Sequence, residues 1–335
     1  MALRGIGSAE ERERAIAAAV AALASGALVA LPTETVYGLG ADATDGRAVA
    51  AIYAAKGRPS FNPLIAHVAD LESAEAHGIF DATARRLAEA FWPGPLTLVV
   101  PKRGTSAISD LATAGLDSVG LRVPAPEVTR EILARFGRPV AAPSANRSGR
   151  ISPTTAADVA EELGAAVAEI VDAGACPVGV ESTIVAVLDG VPTLLRPGGV
   201  ARADIEAVIG RALADPAPQA AEIGPEGGAP LAPGMLSSHY APNARVRLGV
   251  ARVEPGEALL TFAGARPDGV TSATRVIDLS PSGDPAEAAA GLFRALRDLD
   301  AAGVATIAVA ASIPDEGLGE AILDRLRRAA APRTP

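Results

Sequence analysis

The sequence predicts an α/β protein: an open, twisted mixed sheet with helices, followed by a smaller parallel α/β domain of Rossmann-like kind. Three observations carry this. Helical and extended patterns alternate with short connections over residues 1–211. Several extended runs follow one another with no helix between them, which an all-parallel sheet does not allow and a mixed sheet does. After a stretch dense in proline and glycine, residues 212–243, a β/α alternation resumes over residues 244–335. A chain of 335 residues exceeds the usual size of one domain, and 49% apolar residues supply material for two cores.

Taken in order, Ser8-Ala9-Glu10-Glu11 is a capping-box signature that opens a helix running to about Gly26, a plausible terminator. A buried strand over 27–31 leads into a hydroxyl- and glycine-rich loop over 32–40, then a helix over 47–56. The pattern continues with a strand at 64–68, a short helix at 71–77 and a helix at 81–91. Strands at 95–100 and 119–123 precede a helix at 127–136, a strand at 139–142 and a helix at 155–163. A strand at 169–172 and a hairpin pairing 182–188 with 193–195 complete the first domain. Pro216, Pro218, Pro225, Pro230, Pro233 and Pro242 interleave with Gly224, Gly227, Gly228 and Gly234, a density that predicts a linker. Beyond it, strands at 258–262, 275–279 and 306–310 and helices at 285–299 and 316–329 predict a small three-layer parallel domain.

Composition excludes several classes. Mean hydropathy is positive at +0.27, but alanine inflates it, and no run of about 18 apolar residues suggests a membrane span. The first residues lack the apolar core of a secretory signal, and one cysteine, Cys176, allows neither an internal disulfide nor a cysteine metal cluster; a cytoplasmic location is expected. A formal charge of −9 argues against strong direct nucleic-acid binding. There is no phosphate-binding Walker sequence, and Gly38-x-Gly40-x-x-Ala43 lacks the strand context and acidic partner of a dinucleotide fingerprint.

The chemistry gathers around Lys56-Gly-Arg58-Pro-Ser-Phe-Asn62-Pro63, which leads into the strand carrying His67. Pro59 stops the preceding helix and Pro63 sets the entry to the strand, so the cations stand on a stiff corner. A lone Lys-x-Arg there would be an ordinary solvated turn; four further clusters argue otherwise. Ser118 and Arg122 lie four apart on one strand and hence on one face, and a guanidinium on a buried face calls for an anion. Residues 142–149, with Ser144, Asn146 and Arg147, and then Ser152 leave a strand toward a helix start. Such a start is a ready phosphate seat or a plain N-cap. Glu181-Ser182-Thr183 opens one strand and Leu195-Arg196-Pro197-Gly198 closes another. Lys56, Arg58, Arg122, Arg147 and Arg196 thus collect at strand ends of an acidic protein, which implies a small polyanionic ligand.

Pro32-Thr-Glu-Thr-Val-Tyr-Gly38, Lys56-Gly-Arg58-Pro, Phe91-Trp-Pro-Gly-Pro-Leu-Thr97, Gly120-Leu-Arg122-Val-Pro, Pro143-Ser-Ala-Asn146, Glu181-Ser-Thr183 and Leu195-Arg-Pro-Gly-Gly199 occur in order. On these motifs the chain resembles the YrdC-domain family. Pro233-Gly-Met-Leu-Ser-Ser-His-Tyr240-Ala-Pro242 and the second domain resemble its long, Sua-type form. The resemblance implies an L-threonylcarbamoyladenylate synthase, a nucleotidyltransferase that joins L-threonine, bicarbonate and ATP for tRNA threonylcarbamoyladenosine modification. It implies Thr35, His67, Arg122, the Ala142 backbone and Ser182 at threonine. It implies Lys56, Arg58, Asn62, Ser118, Ser144, Asn146, Ser152, Arg196 and Tyr240 at ATP, with Lys56 and Arg58 in the catalytic role. Mg²⁺ is expected with the ATP phosphates, no organic cofactor is expected, and the product is expected to pass to tRNA threonylcarbamoyl-transferase proteins. A noncatalytic RNA-binding, translation-regulating YrdC module is the alternative; a hydrogenase-maturation carbamoyltransferase would need zinc fingers that one cysteine cannot build. The apolar anchors and polar groups of residues 231–240 further suggest a segment that closes over the ligand, with Met235 to Tyr240 as the lid.

Overall fold

The computed structural model describes residues 1–216 and 239–332. Most of the expected linker, residues 217–238, and with it Met235 to Ser238 of the expected lid, lies outside the described residues. The first domain is built on a ten-stranded sheet. Its strands are β1 (Ala2–Gly5), β2 (Val29–Leu31), β3 (Gly38–Asp42), β4 (Ile65–His67), β5 (Leu96–Pro101), β6 (Ser118–Arg122), β7 (Val140–Ala141), β8 (Glu169–Asp172), β9 (Thr183–Leu188) and β10 (Val191–Arg196). They lie in the order β1-β8-β2-β3-β7-β4-β6-β5-β9-β10. β4 runs parallel to β6 and β5 to β9, while β2–β3, β3–β7, β7–β4, β5–β6 and β9–β10 are antiparallel, so the sheet is mixed as expected.

The helices are α1 (Ala9–Ala24), α2 (Gly46–Lys56), α3 (Leu71–Glu75), α4 (Ala82–Phe91), α5 (Glu127–Phe136), α6 (Ala156–Leu163) and α7 (Arg202–Ile209). Local sequence explains their ends. Ser8 caps α1 through a capping box, its Oγ accepting from the Glu11 amide at 3.2 Å while Glu11 Oε2 accepts from the Ser8 amide at 2.9 Å. Asp45 caps α2, and Gly57 ends it in the left-handed region at φ +59°, where glycine carries no Cβ penalty.

Alternation along the strands sorts side chains between two faces. Ala30, Leu39, Ala66, Leu98, Leu121 and Val185 join residues of α2, α4, α6 and α7 in the main core. On the other face, Val29, Leu31, Val140 and Val171 pack under α1 and α5. Those two helices cover only part of that face. Over β4, β5, β9 and β10 it carries the small cluster Ile65, Val99, Ile184, Ala186 and Leu195, and beside it the polar residues of the site.

The second domain has β11 (Arg245–Leu248), β12 (Ala258–Thr261), β13 (Val276–Asp278), β14 (Thr306–Ala310), α8 (Pro285–Asp300) and α9 (Leu318–Ala330). Its sheet is all parallel, ordered β11-β14-β12-β13. It departs from the expected three layers. Both helices share one apolar cluster with one sheet face, while Val250 and Val253 of the loop after β11 pack on Leu259 and Ala308 of the other. Four short elements went unanticipated: β1, β3, α7 and β11, with β3 starting at Gly38 inside the stretch read as a loop. The cluster under α8 and α9 also takes in Val36, Ile151 and Val180 of the first domain and Tyr240, so the two domains share a core. Gly179, at φ +74°, lies so close to α8 that a Cβ would sit 2.4 Å from the Ala289 carbonyl oxygen.

Candidate active site

Strand register lays out the site along β4 and β6, parallel neighbours in which His67 pairs with Arg122 and Ile65 with Gly120. Ser118, Gly120 and Arg122 share a face with Ile65 and His67. Four residues of strand place Ser118 roughly 13 Å from Arg122, so one end of the site is marked by Arg122 and His67 and the other by Ser118 and the corner before β4.

At the first end, Arg122 Nη2 donates to Glu34 Oε1 at 2.6 Å and to Thr35 Oγ1 at 3.0 Å, and its Nε donates to Gly94 O at 3.3 Å. Glu34 Oε2 accepts from the Ala125 amide at 2.9 Å. Sequence reasoning gave the buried guanidinium a ligand as its anion; Glu34, within the quoted Pro32–Gly38 motif, already supplies one. The Arg122 Nη1 group makes no hydrogen bond among the described residues and remains available to a carboxylate. His67 is held neutral, its pKa pushed down to about 3 by burial and then by the Arg122 charge, and its Nδ1 has no partner. The Ala142 amide donates to Ile65 O at 3.0 Å, so only its carbonyl can address a ligand. Ser182 Oγ lies 2.8 Å from Thr97 Oγ1.

At the second end, Arg58 Nη2 donates to the Pro63 carbonyl at 3.1 Å, and its Nε is buried without a partner. Burial lowers its pKa to about 10. Arg196 Nη2 donates to Ser182 O at 2.9 Å and to Ser182 Oγ at 3.2 Å, joining the two ends. Lys56 donates to the Ser144 carbonyl and, at 2.5 Å, to that of Asn146; burial and the nearby Arg58 hold its pKa well below the ordinary lysine value. Asn62 Oδ1 and Asn146 Oδ1 are buried and without partners. Ser152 Oγ donates to Glu181, a buried carboxylate. Burial opposes the charge of Glu181, yet Arg325 and Arg196 outweigh it and hold the carboxyl below its usual range.

The cavity is lined by Thr35, Val36, Arg58, Ile65, His67, Arg122, Ala142, Pro143, Ser144, Glu181, Ser182, Arg196, His239 and Tyr240. Lys56, Asn62, Ser118, Asn146 and Ser152, also anticipated, stand outside this lining; Lys56, Asn62, Asn146 and Ser152 are bonded behind it. The sequence reading missed Glu34, Glu181 and His239 as site residues, and missed Arg325 of the second domain altogether. The first three lie inside motifs that were recognised; Arg325 carries no motif. The cavity volume is about 50 Å³. Small-molecule pockets run to roughly 300–1,000 Å³, so the enclosed space is smaller than a nucleotide. A larger groove of about 750 Å³ between the domains is lined by Arg147, Arg150 and Arg297 with Asp158, Glu161, Glu162, Asp298 and Asp300. Its charges are of both signs, with Arg297 3.3 Å from Glu162, so it does not select an anion. No helix among the described residues is long and apolar enough to cross a membrane, and no group of three or more His, Cys, Asp or Glu among them could hold a metal ion.

Comparison with known proteins places the chain in a family. Residues 21–198 match the Sua5–YciO–YrdC family model, described as telomere recombination, and residues 200–331 match the C-terminal domain of threonylcarbamoyl-AMP synthase. The chain is 42% identical to the threonylcarbamoyl-AMP synthase of Bacillus subtilis over 95% of this chain and 93% of that one. It is also 42% identical to that of Pyrococcus abyssi over 92% of each. The crystal structure of P. abyssi Sua5 complexed with L-threonine superposes with a TM-score of 0.86 at 38% identity, covering 98% of both chains. Both halves match in order and over nearly their whole length, and the chain therefore belongs to the Sua5–YciO–YrdC family, in its two-domain threonylcarbamoyl-AMP synthase form.

Proposed function

We propose that this cavity makes threonylcarbamoyl-AMP and pyrophosphate from L-threonine, bicarbonate and ATP. The observation that carries the reading is the two-ended cavity, with a carboxylate-ready Arg122 beside neutral His67 at one end and Arg58 and Arg196 at the other. The threonine carboxylate would take the open Nη1 side of Arg122, and its hydroxyl would meet Thr35 or Ser182. The amine reacts with bicarbonate to give the carbamate and water. A carbamate oxygen then attacks the α-phosphorus of ATP and pyrophosphate leaves, so the adenylate forms with no change in oxidation state. Such a reaction needs alignment and charge neutralisation more than proton transfer. Arg58 and Arg196 would neutralise phosphate oxygens. Lys56, bonded to two carbonyls of the 144–146 loop, would hold that loop in place rather than carry the chemistry.

Mg²⁺ would arrive on the ATP phosphates, because the cavity offers no carboxylate set of its own to hold it; no step above passes through it. The adenylate would then serve tRNA threonylcarbamoyl-transferase proteins in the cytoplasm, and the acidic chain itself would bind tRNA weakly at most. The purified chain is expected to release pyrophosphate from ATP only when L-threonine and bicarbonate are both present. Equal release without threonine would overturn the reading.

A further inference from the structure

We propose that Arg325, on α9 of the second domain, is a positioning residue for the nucleotide end of the site, so that docking of the second domain sets ATP affinity; this rests on the functional reading above. Arg325 is fully buried, the largest such side chain among the described residues. Its Nε donates to Glu181 Oε2 at 2.9 Å, and its Nη1 donates to the Pro197 carbonyl at 2.8 Å and to Asp324 Oδ2 at 2.7 Å. Its guanidinium carbon lies 5.3 Å from the centroid of the Tyr240 ring. Three of these contacts, all but the one to Asp324, adjoin a residue assigned to ATP. Glu181 receives Ser152, Pro197 follows Arg196, and Tyr240 lines the cavity.

Two physical arguments make the contact more than packing. Glu181 is a buried carboxylate that bonds Arg325 of the second domain directly, and the charges of Arg325 and of nearby Arg196 both stabilise it. Without Arg325 the carboxylate would turn fully to Arg196 and draw that guanidinium away from the phosphates. Tyr240 has φ +62°, a left-handed conformation that a non-glycine residue keeps only when its surroundings over-determine it. The second domain supplies the ring contacts: Phe293 of α8 stacks on it with centroids 5.5 Å apart and Arg325 lies across it, while Val36, Ile151 and Val180 of the first domain complete the cluster. None of these contacts reaches Thr35, His67 or Arg122.

The test uses the full-length chain and reads ATP and threonine separately, by equilibrium binding of ATP and by the KM for each substrate. Arg325→Met is expected to weaken ATP by roughly tenfold or more, as loss of one partner of a buried pair implies. The KM for threonine should move much less than that for ATP, because Thr35, His67 and Arg122 make no contact with Arg325 and only Ser182, bonded to Arg196, links the two ends. Adding Glu181→Gln to Arg325→Met removes the stranded charge and should recover part of the ATP affinity. Should Arg325→Met fail to fold, Arg325→Lys keeps the charge but loses the fork, and carries the same selectivity at smaller size. Equal losses for both substrates, no loss for either, or no recovery in the double variant would overturn the inference while leaving the functional reading intact. An unaltered chain that binds no ATP would overturn both.

Discussion

The two ends of the cavity are built differently. The Arg122 end rests on strand register within one domain: β4 and β6 place His67 beside Arg122, and Glu34, Thr35 and Gly94 satisfy the guanidinium. The other end is assembled from a corner, two loops, the end of the linker and a helix of the second domain. It also holds most of the site's buried polar atoms without partners: Arg58 Nε, Asn62 Oδ1, Asn146 Oδ1, His239 Nδ1 and Arg325 Nη2, against His67 Nδ1 alone at the first end. Buried polar groups in folded proteins are nearly always satisfied, and of these five only Arg58 and His239 line the cavity, so they are the ones a polar ligand can complete. One end is preorganised and the other waits for its substrate.

The sharpest way to separate them is Arg58→Ala. Among the described residues Arg58 bonds only backbone carbonyls, so its removal should lower kcat/KM for ATP by at least about a hundredfold, roughly 3 kcal/mol, while leaving thermal stability nearly unchanged. A large loss of melting temperature would mean that the nucleotide end is as structural as the other.

Arg122→Lys should act on threonine instead, raising its KM by a factor corresponding to roughly 1.5–3 kcal/mol with the KM for ATP little changed. Lysine still pairs with Glu34, so the variant should fold; parallel losses for ATP and threonine would erase the distinction between the ends.

A third measurement concerns the charge of the preorganised end. The pKa of His67 is about 3 folded against about 6.5 unfolded, so the unfolded chain binds the extra proton as pH falls below 6.5. Stability from the neutral imidazole is therefore full above pH 6.5 and declines from there down to about pH 3, by on the order of 1 kcal/mol per pH unit. His67→Gln should flatten that slope in denaturant titrations between pH 6.5 and 4.5. An unchanged slope would mean that His67 is not desolvated as described.

The smallest effect is expected far from both ends. Ser8→Ala removes the α1 cap and should cost about 1 kcal/mol of stability with no change in either KM. A shift in one KM alone would show that the site reads distant helix stability.

Legibility followed the same division. The helix starts at Ser8, Asp45 and Asp81 are local hydrogen-bond chemistry and could be read directly. So could the strand of Ser118 and Arg122, whose alternation alone puts both on one face. The elements that escaped are short and lean on partners far along the chain. β1 alternates half-buried and exposed residues and is a strand only because β8, more than 160 positions away, pairs with it. β11 reads Arg-Val-Arg-Leu and depends likewise on β14. α7 spans only Arg202–Ile209, directly after the closing glycines of β10.

By itself the sequence determined the mixed α/β class, the cationic corner at Lys56 and Arg58, the strand-borne Arg122 and the family motifs, because each is a matter of local period, turn chemistry or residue type. Only the tertiary structure decided which charges meet. Arg122 finds Glu34 across 88 positions, and Lys56 turns to the Ser144 and Asn146 carbonyls. Arg325, within an Asp-Arg-Leu-Arg-Arg run that reads as a solvated helix face, becomes fully buried against Glu181. The physical reason is that a buried charge is tolerated only beside its partner, and the partner is chosen by how the sheet folds and, for Arg325, by how the two domains dock, which no local pattern encodes.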